Sequence, residues 1–224
     1  MVNEIFSMRI CGFLFLFMII SSIASEAFGN RRVSDLDSDA LLQKINDDPN
    51  KFKISIVLAL IHHFSLIAIG VMLFIVFSPH NLMLGVVGTI FRIGESLILF
   101  YHEINYWGLL SIATQYSVTS GAEKNALIDL GLTILQSKNS GFTFGQILFS
   151  IGTLAYVILF VTYGVVPRII GWFGLVASIL YGFGIVIILV KPNFVVLGYL
   201  GGLLVMIFEV VLGGWLLFSS HTTR

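Results

Sequence analysis

Six stretches of roughly 20 mostly apolar residues follow one another along this chain, each long enough to cross a bilayer as a helix. They cover about 10–28, 54–77, 82–105, 145–166, 168–190 and 194–218. In hydrocarbon every backbone N–H and C=O must find its partner inside the segment, so such runs fold as helices. The pattern predicts an all-α polytopic membrane protein, with six transmembrane helices in one bundle and a single integral membrane domain over 1–224. Composition agrees. Hydrophobic types make up 57% of the chain and charged types 11%, against about 25% charged in a soluble domain. A soluble domain of 224 residues could not hide that many apolar side chains. The partner this composition implies is the lipid bilayer. Net charge is zero, so no bulk attraction to nucleic acid follows.

The four prolines respect this segmentation. Pro49 precedes the second run, Pro79 separates the second from the third, Pro167 the fourth from the fifth, and Pro192 the fifth from the sixth. None lies inside a span, where it would cost about 3 kcal/mol. Spans two and three, four and five, and five and six are therefore expected as tight antiparallel hairpins.

Two connections are longer. Residues 29–53 form a mixed-charge stretch, with a short helix predicted near 39–46 and started by Ser38 or its neighbours. In 106–144, Ser120 and Glu123 have the spacing of a capping box. Ala126, Leu127, Leu130, Ile134 and Leu135 then recur at helical spacing, with Glu123, Lys124, Asp129 and Gln136 mostly on another side. This predicts one amphipathic surface helix over 121–137, on the membrane or against the bundle. Tyr101, Tyr106, Trp107 and Tyr116 fit an aromatic belt at the end of span three.

The first run has two readings. Arg9, a short apolar core and "SSIAS" also suit a secretory signal peptide, with Ser22 and Ala24 at the small-residue positions. If it is a span, both termini share one side with Arg9, Arg168 and Arg224. The other side holds Arg31, Arg32, Lys44, Lys51, Lys53, Lys124, Lys138 and Lys191. The positive-inside rule then puts the termini outside, although several of those basic residues lie in longer, acid-rich loops that weigh little in the rule.

The third span contains "TIFRIGESLILF", with Arg92 and Glu95 one turn apart. Two charges at a helix centre cost about 5 to 7 kcal/mol on insertion scales. Twelve Leu, Ile, Val and Phe residues in that span return about 4 to 7. The span is about neutral by itself, so partners must hold it. Residues i and i+3 are neighbours on a helix, which makes Arg92–Glu95 one pair. At about 1.5 Å per residue, counting from the span midpoints puts Glu209 of span six at the depth of Arg92. The same count puts His62 of span two at the depth of Glu95. A mid-membrane network of Arg92, Glu95, Glu209 and His62 is therefore expected. Intramembrane ionisable groups point to function by default, and the competing reading is a clamp that only locks helices together.

Other patterns lead nowhere chemical. Single Cys11 leaves no intrachain disulfide and no cysteine-rich metal site. "HEINY" at 102–106 is not HExxH, so His102 and Glu103 are read as interfacial. Paired His62 and His63 lack the further ligands a metal needs. "DLDSD" at 35–39 fails as a calcium loop, because Ala40 stands where Gly is needed and Asn46 where Glu is needed. There is no phosphate-binding glycine loop, GxSxG or kinase set. No cofactor is implied. Gly198 with Gly202, and Gly171 with Gly174, read as close helix packing.

The order of pieces is nonetheless familiar. An acidic loop "DLDSDALLQKI" is followed by "FRIGES", then "GFTFGQILFSIGTLAYVILFVTYGVVPRIIGWFGLVASILYGFG", and last "FEVVLGGWLLF". This resembles an uncharacterised prokaryotic family of six-span membrane proteins, the domain-of-unknown-function family numbered 4386. The best-matching pieces are Phe91-Arg92 with Glu95, Pro167-Arg168 with Gly171, and Glu209 followed by Trp215-Leu216. The opening "FSMRICGFLF" departs from it. The resemblance implies six spans, a retained first helix and a multi-pass place in a prokaryotic cytoplasmic membrane. It implies no activity.

Three functions are open to such a chain. One is a small carrier or permeation unit that binds a proton or small polar solute at the charged network. Another is a structural or regulatory membrane protein, in which the network only fixes packing. An intramembrane enzyme ranks last, since no nucleophile–base pair or metal set is visible.

Overall fold

The computed structural model describes residues 2–30, 38–191 and 193–219. Arg31, Arg32, the start of "DLDSD", Pro192 and Arg224 lie outside the described residues. Among those described, every element is a helix: α1 (Val2–Ala27), α2 (Ser38–Asp47), α3 (Pro49–Phe77), α4 (Leu82–Trp107), α5 (Leu109–Tyr116), α6 (Gly121–Tyr163), α7 (Arg168–Val190) and α8 (Val196–Phe218). Six stretches are long and apolar enough to cross a membrane: α1, α3, α4 with α5, α6, α7 and α8. The chain is a multi-pass helical membrane protein.

Local chemistry sets the ends. Proline disfavours helix at the residue before it, and α3 stops at Phe77, just ahead of Ser78-Pro79. Asn81 then accepts the Leu84 N–H at 3.0 Å through its side chain, which satisfies an otherwise orphaned donor at the start of α4. After α6, Gly164 takes φ 64°, the left-handed stop that glycine adopts without strain. Pro167 precedes the first residue of α7. Helix α2 falls where the short helix was expected.

One expectation needs correction. The stretch 121–137 is not a separate surface helix; it is the first part of α6, which runs 43 residues without a break. "SKNSG" at 137–141 looks like a loop but contains no proline. Its glycine costs a helix only about 1 kcal/mol. Gly141 is also where a side chain packs: a β-carbon there would lie 1.9 Å from the His102 ring. At 1.5 Å per residue α6 is about 65 Å long, roughly twice the hydrocarbon thickness. Its N-terminal part must therefore stand beyond the hydrocarbon.

The chain forms two compact units. The first draws on 1–19, 64–96 and 143–224, the second on 20–63 and 97–142. In the first, α7 and α8 pack along each other around Phe149, Ala177, Tyr181, Ile185 and Val205. In the second, Leu41, Leu42 and Ile45 of α2 bury against Leu109, Ile112, Ala113 and Tyr116 of α5 and Leu135 of α6. The Tyr116 hydroxyl donates to Asp39, and the Lys124 ammonium lies 4.2 Å over the Tyr116 ring.

Candidate functional site

Helix α4 buries one stripe: Arg92, Glu95, Ser96, Leu99, Glu103 and Tyr106. The spacings 3, 4, 7, 11 and 14 from Arg92 are those of one helix face. Arg92, Glu95 and Ser96 belong to the first unit, and Leu99, Glu103 and Tyr106 to the second.

In the first unit, Arg92 Nη1 lies 3.1 Å from Glu95 Oε2 on the same helix. Its Nη2 lies 3.4 Å from Glu209 Oε1 on α8. Arg92 is 2% exposed and Glu95 3%. The guanidinium carbon sits 4.7 Å from the Phe149 ring centroid, within cation–π range. Arg92 Nε finds no hydrogen-bond acceptor among the described residues. Beside the pair of ions is a cavity walled by Phe15, Leu73, Thr153, Tyr156 and Phe208 and reached by Arg92 and Glu209. It has room for about one water molecule. The Tyr156 hydroxyl shares a 2.6 Å hydrogen bond with Thr89 Oγ1, which also donates to the Gly85 carbonyl at 2.8 Å.

One guanidinium faces two carboxylates here. With all three ionised the group carries a charge of −1 inside apolar walls. A buried charge without a partner is costly, and a proton taken up at this place removes it.

The other residue expected in the network, His62, falls in the second unit. Its ring lies 5.2 Å from that of His63, edge to face. His63 leads to a cluster that the sequence reading missed. His63 Nε2 is 3.9 Å from Glu103 Oε2, and Lys138 Nζ of α6 is 3.2 Å from the same oxygen. Asn30 Nδ2 donates to Glu103 Oε1 at 2.6 Å, and Lys138 also donates to Asn30 Oδ1. The Lys138 ammonium sits 3.5 Å from the centroid of the Tyr106 ring. Glu103 is 3% exposed, so it is enclosed by protein. The usable signal was its place 11 residues after Arg92, three helical turns along one face. Among the described residues, no three His, Cys, Asp or Glu side chains converge as a metal site would need.

Residues 10–219 match the family described as a domain of unknown function, DUF4386. The chain belongs to that family. No curated protein and no solved structure matches it. The stretch shared with the DUF4386 family contains Arg92, Glu95 and Glu209 and also Asn30, His63, Glu103 and Lys138. Both clusters are therefore part of the DUF4386 domain of this chain.

Proposed function

We propose that this DUF4386 protein is a small carrier in a prokaryotic cytoplasmic membrane, and that Arg92, Glu95 and Glu209 bind its proton or small polar solute. The observation that carries this reading is the sharing of one guanidinium by two carboxylates, at 3.1 and 3.4 Å. Proton uptake there cancels the excess negative charge, and proton release restores it. The Glu209 side chain is 12% exposed, against 4% for that of Glu95, which favours Glu209 as the member that exchanges. The expectation that His62 takes part is tested by His62→Phe in the same assay.

The test is proton flux into proteoliposomes, read with an internal pH-sensitive dye. Wild type is expected to carry protons, and Glu209→Gln, which keeps shape and removes the charge, is expected to stop them while the protein stays folded. One observation favours a second reading, a helix clamp: the adjoining cavity has room for about one water. Under that reading wild-type vesicles show no flux above empty ones, and Glu209→Gln loses thermal stability instead.

A further inference from the structure

We propose that Glu103, Asn30 and Tyr106 form a binding site for a primary ammonium group, filled in this structure by the protein's own Lys138. This inference goes beyond the carrier site and uses none of its residues.

Three kinds of contact meet at the Lys138 nitrogen. Glu103 offers both carboxylate oxygens, Oε2 at 3.2 Å and Oε1 at 3.3 Å. Asn30 offers its amide oxygen. Tyr106 offers its ring face, with the nitrogen 3.5 Å from the centroid. Carboxylate, neutral carbonyl and aromatic face are the set that recognises R–NH3+. The carboxylate matches the charge, the oxygens take the N–H bonds, and the ring quadrupole attracts the cation. A simple ion pair would need only the carboxylate.

The walls are set before the ammonium arrives. Asn30 Nδ2 holds Glu103 Oε1 at 2.6 Å, which aims its own oxygen at the same space. Tyr106 packs against Phe52, with ring centroids 5.1 Å apart, and is 1% exposed. His63 Nε2 stands 3.9 Å from Glu103 Oε2 on another side. The occupant is less fixed. The Lys138 side chain is 16% exposed, against 4% for Glu103, and the proposed entry path runs along it. Lysine is a point charge on a flexible four-carbon stem. When it swings out, an incoming ammonium replaces one positive charge by another. Glu103 is then never left buried without a counter-ion, the state that buried carboxylates avoid. Lys138 thus acts as a tethered competitor for amines.

The experiment uses the full chain in nanodiscs with 15N-labelled asparagine. Propylammonium chloride is the probe, because it replaces the lysine side chain beyond the β-carbon; sodium chloride is the control. The Asn30 side-chain amide resonance is expected to shift saturably with propylammonium and not with sodium. Lys138→Ala removes the tethered competitor and is expected to bind propylammonium at least about tenfold more tightly than wild type. Glu103→Gln is expected to abolish the shift. No saturable shift in wild type, no gain in Lys138→Ala, or full binding in Glu103→Gln would each overturn the proposal. Where Lys138→Ala does not fold, wild type against Glu103→Gln decides it, with Tyr106→Leu expected to weaken binding at least about tenfold.

Discussion

Arg92 of α4 and Glu209 of α8 are 117 residues apart in the chain, yet their charged ends lie 3.4 Å apart. With Glu95 on the near side, the guanidinium ties two membrane helices through one buried group. Each helix thus supplies the other with a counter-ion for a charge that is costly in hydrocarbon. The consequences can be measured.

Arg92→Met removes the one cation from two buried carboxylates. Taking away one partner of a buried ion pair costs about 3 to 5 kcal/mol. The unfolding free energy in detergent, from denaturant titration, should fall by that amount. Arg92→Met with Glu95→Gln and Glu209→Gln removes all three charges and should recover most of the loss. A triple variant no more stable than the single one would show that the carboxylates are not what destabilises it.

Gly141→Ala places a methyl group 1.9 Å from the His102 ring. That is overpacking, with a usual cost of about 1 to 3 kcal/mol. His102→Ala makes room, so the double variant should regain stability relative to Gly141→Ala. Melting curves of the single and double variants test this pairing, and strict additivity would refute it.

Gly12 and Gly214 should behave oppositely. A β-carbon on Gly12 falls 2.5 Å from the backbone of Gly213 and Leu217, whereas one on Gly214 meets nothing within 4 Å. Backbone cannot step aside as a side-chain tip can. Gly12→Val should cost about 1 to 3 kcal/mol or more, and Gly214→Ala no more than about 0.5. Thermal unfolding of the two variants checks the contrast.

Tyr156→Phe keeps the ring and deletes the hydroxyl that meets Thr89. Thr89 retains its bond to the Gly85 carbonyl, so no polar group is orphaned. The loss should be about 0.5 to 1.5 kcal/mol, again by thermal unfolding. A much larger loss would mean that this hydroxyl has a further structural partner in the neighbouring cavity.

The spans were readable because lipid makes a strict demand: length and apolarity alone separate a crossing helix from other structure, and proline cannot sit in its interior. Arg92 with Glu95 was readable from spacing, and Glu209 from depth. The Glu103 cluster was not, because its members come from four separate segments. Extended α6 was hidden for a related reason. "SKNSG" has the composition of a loop, and only the neighbouring His102 ring explains why a glycine stands there inside a helix.

The close seating of α1 on α8 has a consequence for how the molecule comes together. Membrane helices leave the ribosome in chain order. Gly12 is therefore in the bilayer while Gly213 is still unmade, with four other crossing stretches, α3, α4 with α5, α6 and α7, produced in between. The α1 surface marked by Gly12 therefore gains its α8 neighbour only after α3 to α7 have been made. The α1–α8 contact is thus made late in synthesis, although α1 is made before α3 to α8.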